Sequence, residues 1–352
     1  MYCPRINHFV RLNQNGSIGR CGHMNTNIGF ESVNELENSD WTKTIKEKMD
    51  QDVWPEECAR CEQTEQTGGH SIRLKSIDRH KLLYPLHKEY LVVGGVLDNI
   101  CNSACQSCNS GLSTKIGSLE SNNYPRVDNY VRFWELPQNR ILEVDVNGGE
   151  PTASRNYKKI LANLPKQTKI VRMNTNGSRM IPELENILRK KIMAIVTLSF
   201  DGVGQVHDYV RWPIKWDKYI KSVEAYKNLK KQFPLFKLNL WTTVSSLNVA
   251  NMTNILDFAT EHNIDHDWAF LNSPKVLDVR HKNKFTIIAK EKLSKSTYKI
   301  CRDMSKSIAT GDDNTEELEL FIKKQDYLRK INVNDYFNFE PNFSKNNEAN
   351  LS

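Results

Sequence analysis

Cys101, Cys105 and Cys108 stand three and two residues apart on one short stretch, Cys101-Asn-Ser-Ala-Cys105-Gln-Ser-Cys108. Three thiolates at this spacing can each reach a different iron of a cubane cluster, and they leave a further metal position without a protein ligand. Such a vacancy is a place for chemistry. Structural zinc is the other reading, since it wants four closed tetrahedral ligands and a further Cys or His could arrive from elsewhere in the fold. Spacing leaves both open.

Other residues able to bind or react stand at similar places along the chain. Gly148-Gly149-Glu150-Pro151 follows an apolar run; its glycines would let the backbone approach a ligand closely, and its carboxylate could meet an ammonium group or simply face water in a turn. Asn174-Thr-Asn176-Gly177-Ser178 and Ser199-Phe-Asp201-Gly202 follow two further runs. Asn-Gly and Asp-Gly are common turn dipeptides, but at strand ends they are well placed for function. Arg211 offers the planar two-donor fork that suits a carboxylate, or a surface salt bridge. His207 could orient either group or be a polar helix residue.

A second set of cysteines lies near the N-terminus: Cys3, Cys21, Cys58 and Cys61. His8–Leu12 and Ser17–Ile18 read as short strands joined at Asn15-Gly16, a hairpin with a cysteine towards each end. A helix is expected over Asp40–Met49 with Asp40 as its N-cap, then the knuckle Cys58-Ala-Arg-Cys61. By spacing, four cysteines from a hairpin and a knuckle fit a structural zinc before a cluster.

The elements that must position these residues alternate. Strand-like runs at Tyr90–Leu97, Ile141–Val146, Lys169–Met173, Met193–Phe200, Phe236–Val244 and Trp268–Leu271 are separated by helical patterns at Tyr157–Leu164, Pro182–Lys190, Trp216–Gln232 and Asn251–His262. That is the pattern of parallel βα units, and it puts the three central cysteines on a loop from strand to helix. Lys284 to about Lys330 is rich in Lys and Glu and helical in pattern, and is expected to pack across the barrel mouth. Cys301 reads as a half-buried cysteine, with a fourth ligand or radical quencher as the minor reading. The polar tail from Asn342 to Ser352 is expected to be loose. The expected division is residues 1–88, 89–275 and 276–352.

Composition describes an ordinary soluble protein, with 39% hydrophobic and 26% charged residues and no apolar run of membrane-spanning length. The N-terminus lacks a secretory pattern, so a cytoplasmic location and reduced thiols are expected, which favours metal ligation over disulfides for the eight cysteines. The net charge of +7 is spread along the chain. Nothing argues for nucleic acid, because no Lys/Arg block is interleaved with aromatics.

The CxxxCxxC after the first barrel strand, with a GGE one βα unit later, resembles the radical S-adenosylmethionine (SAM) enzymes. The resemblance implies a [4Fe-4S] cluster on Cys101, Cys105 and Cys108 whose fourth iron is chelated by SAM, and reductive cleavage of SAM to a 5′-deoxyadenosyl radical that abstracts hydrogen from a substrate. It implies that Gly148, Gly149, Glu150 and Pro151 lie at the SAM amino group, and Asn176, Ser199, Asp201 and Arg211 at its ribose and carboxylate. The order Cys58, Cys61, Glu65, Gly69, Ser71, Arg73 is similar to twitch/SPASM-like modules, in which such cysteines hold an auxiliary [4Fe-4S] cluster. In better-known members that module follows the barrel; here it precedes it. The implied fold is α/β, a partial (βα)6 TIM-like barrel with an N-terminal auxiliary-cluster module and a C-terminal helical extension. The implied partners are a peptide or protein substrate and a flavodoxin- or ferredoxin-type reductant. Two alternatives remain: the same chemistry on a small metabolite or nucleotide-derived compound, and a zinc-stabilised binding protein without catalysis.

Overall fold

The computed structural model describes residues 1–337 apart from 25, 27, 122 and 123. Eight strands form one sheet in the order β2-β1-β3-β4-β5-β6-β7-β8: β1 (Phe9–Leu12), β2 (Ile18–Gly19), β3 (Leu91–Asp98), β4 (Ile141–Gly148), β5 (Ile170–Thr175), β6 (Met193–Ser199), β7 (Phe236–Val244) and β8 (Asp265–Phe270). From β1 to β8 every neighbour is parallel, while β2 returns antiparallel beside β1. The six expected strands are therefore β3 to β8. Helices cross between them, Trp216–Gln232 over the expected range and Met252–Glu261 within it.

Residue type alternates along the strands and gives the sheet two unlike faces. Val171, Met173, Val196, Leu198 and Leu238 point outwards into a core with Tyr219, Tyr226, Ile255 and Phe258 of the covering helices. Burying each such side chain contributes roughly 1.5–3 kcal/mol. Arg172, Asn174, Thr197, Ser199, Asn239 and Trp241 point the other way and line an open cleft of about 1970 Å³. The floor of this cleft is an apolar plug of Phe9, Leu83, Tyr90, Val92, Leu142, Ile170 and Ile195.

The N-terminal hairpin forms as expected, with Gly16 in the left-handed region at its turn. Its β1 also continues the large sheet, pairing Val10 with Val93 of β3. The helix Asp40–Asp50 is capped by Ser39, whose side chain accepts from the Thr42 amide, rather than by Asp40. A helix at Ile72–Leu83, N-capped by Ser71, has no counterpart among the expected elements. Its apolar residues do not gather on one stripe, because one side faces the polar cleft: Arg79 lies 2.8 Å from Glu143 of β4, and Lys75 lies 3.9 Å from Asp267 of β8.

C-terminal helices Lys284–Ser294, Lys299–Ser307 and Thr315–Arg329 cover the flank of the sheet and the cysteine loop. Cys301 is fully buried within the main core, not half-buried, since its helix packs its apolar side against the sheet-covering layer. The tail expected to be loose, residues 342–352, lies outside the described residues. Among the described residues no helix is long and apolar enough to cross a membrane.

Gly95 of β3 has φ +93°, and a Cβ there would stand 2.2 Å from the Leu12 carbonyl oxygen and 2.5 Å from its nitrogen. A Gly95→Ala protein should lose on the order of 3 kcal/mol of stability, from backbone strain plus overpacking between β1 and β3. Limited proteolysis should show the N-terminal segment released before the rest, and calorimetry should show the lowered Tm.

Candidate active site

The loop after β3 is fixed at nearly every residue. Cys101 donates its amide to Thr114 Oγ1 at 3.1 Å, and Ser113 Oγ donates to the Ser103 carbonyl at 2.7 Å. Ser113 is also the N-cap of the following helix, Thr114–Glu120, accepting from the Ile116 amide. On the far side the amides of Ala104 and Gln106 donate to the carbonyls of Trp212 and Val210, at 2.8 and 2.9 Å. Arg329 of the last long helix donates to the Ala104 carbonyl through Nε and Nη2, at 2.9 and 2.8 Å. Ser103 Oγ lies 3.3 Å from the Cys101 sulfur and 3.7 Å from that of Cys105. Burial raises the Cys101 and Cys108 thiols, Cys108 to about 12, and in both the neighbouring Cys105 adds to the shift. Cys101 and Cys108 thus sit in a weakly solvated place and resist ionisation until a cation arrives.

Gly148 and Gly149 press against the backbone that leads into this loop. Their Cβ atoms would lie 2.1 Å from the Asp98 oxygen and 2.0 Å from the Ile100 oxygen. The amides of Gly149 and Glu150 donate to these same carbonyls at 2.8 and 2.7 Å. Glu150 is buried, and its carboxylate is largely occupied from within the chain. Oε1 accepts from the Thr152 amide, Thr152 Oγ1 and Thr175 Oγ1, and Oε2 accepts from the Asn176 amide at 2.7 Å. Room for one further donor remains on Oε2. Pro151 sits buried in the turn that this network closes.

Asn176, at the end of β5, joins the same assembly. Its Nδ2 donates to Asn102 Oδ1 at 2.7 Å and to Ser103 Oγ at 3.2 Å, both inside the cysteine motif. Asp201 and Arg211 form a buried ion pair at 2.5 Å, not a surface one, and Asp201 also accepts from the Thr243 amide at 2.8 Å. Burial works against the charge of Arg211, but the neighbouring Cys105 and Asp201 more than offset it and raise the guanidinium above its ordinary value. Arg211 Nε is buried without a partner among the described residues. Ser199 stands apart from this group, on the wall of the cleft. His207 is fully buried against Trp216 and Tyr219.

Residues 96–243 match the model of the radical SAM superfamily. The family binds a [4Fe-4S] cluster and SAM. Among curated proteins, the mycofactocin maturase MftC of Mycolicibacterium smegmatis is 29% identical over 129 residues, 36% of this chain and 32% of that protein. MftC of Mycobacterium tuberculosis is 26% identical over 165 residues, 46% of this chain and 40% of that protein. The matched region thus spans 32% to 40% of the length of these relatives. The crystal structure of Streptococcus suis SuiB bound to S-adenosylmethionine aligns over 93% of this chain and 70% of that one, at 15% identity and a TM-score of 0.41. That likeness is too loose to carry an argument.

Outside residues 96–243, the four N-terminal thiols line one hollow, together with Arg5, His23, Trp54 and Arg73. All four are buried. Burial first, and then the neighbouring thiols, pushes Cys3 up to about 11 and Cys58 up to about 12. Arg5 Nε donates to the Cys21 sulfur at 3.1 Å, and the His23 amide donates to it at 3.4 Å. The residues after the knuckle close it as a clamp: Glu65 accepts from Ser71 Oγ and from the Arg73 guanidinium at 2.5 and 2.9 Å, and Arg73 also donates to the Tyr2 carbonyl at 2.8 Å. Cys61 and Ser71 line the central cleft as well, so the N-terminal thiol site borders it. Among the described residues, no three His, Cys, Asp or Glu side chains close tightly enough round one point to hold a single ion.

Sequence reasoning did not single out Asn102, Ser103, Ser113, Thr114, Thr175 or Arg329. The first two lie inside the cysteine motif and were legible there as polar spacers. Arg329 gave no signal, because its contact lies 225 residues away.

Glu150→Ala would leave the Asn176 amide and the Thr175 hydroxyl buried without their acceptor. It should cost on the order of 3 kcal/mol in urea unfolding even before any cofactor is added. A pH effect follows from His207, whose burial, helped by Arg211, holds its pKa at about 3. Between about pH 6.5 and 3 the unfolded chain takes up a proton that the folded chain refuses, so stability falls as pH falls through that window. A His207→Phe protein should show a shallower decline of Tm with acid.

Proposed function

We propose that this chain is a radical SAM enzyme that modifies a peptide or protein residue. Cys101, Cys105 and Cys108 would hold the [4Fe-4S] cluster, and Gly149, Glu150, Asn176, Asp201 and Arg211 would form the SAM cradle around it. When bound, the cluster and SAM supply the one-electron chemistry that yields a hydrogen-abstracting 5′-deoxyadenosyl radical. The observation that carries the reading is convergence: the GGE turn, the end of β5 and the Asp201–Arg211 pair all reach the cysteine loop from different strands. A static metal site would not need the two Cβ-free positions at its base or the unpaired Nε of Arg211. Ser103 and Asn176 set the loop's shape, and Arg211 offers charge to an anionic group beside Cys105.

The second thiol site supports an auxiliary [4Fe-4S] cluster on Cys3, Cys21, Cys58 and Cys61. All four sulfurs line one hollow, and Arg5 is aimed at one of them. Four protein ligands would leave no iron open, so this centre would serve electron transfer or shape the cleft wall. The peptide assignment draws on the relative named a maturase. A flavodoxin- or ferredoxin-type protein would supply the electron.

After anaerobic reconstitution and dithionite reduction, the wild-type protein should form 5′-deoxyadenosine and a Cys105→Ala protein should form none. A protein lacking Cys101, Cys105 and Cys108 should still hold about four irons, carried by the N-terminal thiols. One zinc and no iron in that protein would replace the auxiliary cluster by a structural knuckle.

A further inference from the structure

The central cleft is charged, and its charge is not balanced from within. Six Lys and Arg residues line it, Arg5, Arg11, Arg60, Lys75, Arg79 and Arg172, against the two carboxylates of Asp145 and Asp267. Three of these cations are engaged: Arg5 with the Cys21 sulfur, Arg79 with Glu143 just beneath the cleft, and Lys75 loosely with Asp267. Arg11, Arg60 and Arg172 make no ion pair or side-chain hydrogen bond among the described residues, and Asp145 is the one lining carboxylate left to answer them. In a concave, partly dry site such a surplus attracts anions far more strongly than the same charges would on an open surface.

The placement of the surplus says what shape of anion it fits. Arg11 lies on β1 and Arg172 on β5, with β3 and β4 between them. Three strand spacings of ~4.8 Å put the two positions about 14 Å apart along the sheet, the span of about four residues of extended chain. Every parallel strand from β1 to β8 contributes a residue to the cleft lining, so a chain can lie across the sheet within it. Trp241, 37% exposed, and Trp268 add flat apolar surface at the far wall.

We propose that the cleft binds an extended acidic peptide segment, with carboxylates several residues apart meeting Arg11 and Arg172, and Arg60 guiding them at the rim. The proposal rests on the peptide reading given above and narrows it to a substrate class. Bound there, the segment runs past the wall formed by Cys61 and Ser71 and by the strand-end residues Asn147, Asn174 and Ser199.

The test uses the reconstituted holoprotein and three fluorescent pools of otherwise random peptides, carrying at alternate positions Asp or Glu, Asn or Gln, or Lys. Fluorescence polarisation should show the acidic pool bound at least about tenfold tighter than the amide pool at low salt, with the preference shrinking as NaCl rises. Arg11→Gln combined with Arg172→Gln should abolish the preference while still forming 5′-deoxyadenosine on reduction without peptide, which reports an intact fold and radical site. Equal binding of the acidic and amide pools by the wild-type protein, or a salt-independent preference, overturns the acidic assignment and leaves the peptide reading standing. Failure of every pool to bind, with peptide-free 5′-deoxyadenosine formation intact, overturns the peptide reading itself and points to a small metabolite.

Discussion

Two missing side chains hold the site together. Because Gly148 and Gly149 carry no Cβ, the end of β4 can lie against the carbonyls of Asp98 and Ile100 and donate two amides to them. This fixes the direction in which the chain leaves β3, and so where Cys101 begins. The same turn delivers Glu150 to a point where its carboxylate gathers donors from Thr152, Thr175 and Asn176. Asn176 in turn reaches back to Asn102 and Ser103. The ends of β3, β4 and β5 are thus one hydrogen-bonded body, and none of the three can shift without the others.

Burying Glu150, Asp201 and Arg211 in such a body is costly unless each is paired, and each is. Glu150 is matched by neutral donors and Arg211 by Asp201. Matching by neutral donors leaves a net negative charge near the cysteine loop, and the paired guanidinium adds little to cancel it. Like charges near the thiols would disfavour thiolates, which is consistent with the raised Cys101, where Glu150 is among the contributing neighbours. The loop is rigid before any metal arrives, while Cys101 and Cys108 hold their protons.

Much of this arrangement was legible in the chain. The strands β3 to β8 follow from apolar runs, and the cysteine loop, the GGE turn and Asn176 fall at strand ends as their residue types require. Glu150 was read as a side chain offered to a ligand, and its actual duty, tying two strand ends together, needs Thr175 in three dimensions. Arg211 was weighed as a surface ion pair because nothing local marks Val210–Trp212 as running beside the cysteine loop. The helix Ile72–Leu83 escaped notice for a physical reason: an element that lines a polar cleft shows no apolar stripe. The strand β1 was legible, but its parallel pairing with β3 was not, because its four residues look like half of an isolated hairpin.

The parallel pairing of β1 with β3 bears on the order of assembly. As the chain leaves the ribosome, Cys3, Cys21, Cys58 and Cys61 all emerge before Val93, the residue that Val10 must find. A parallel pair with so long an excursion between its strands closes late, since chain entropy must be lost before the contacts are gained. The hollow around those thiols is lined by residues 3–73 alone, so this module can close around its sulfurs before β3, the strand that anchors it to the sheet, has been made.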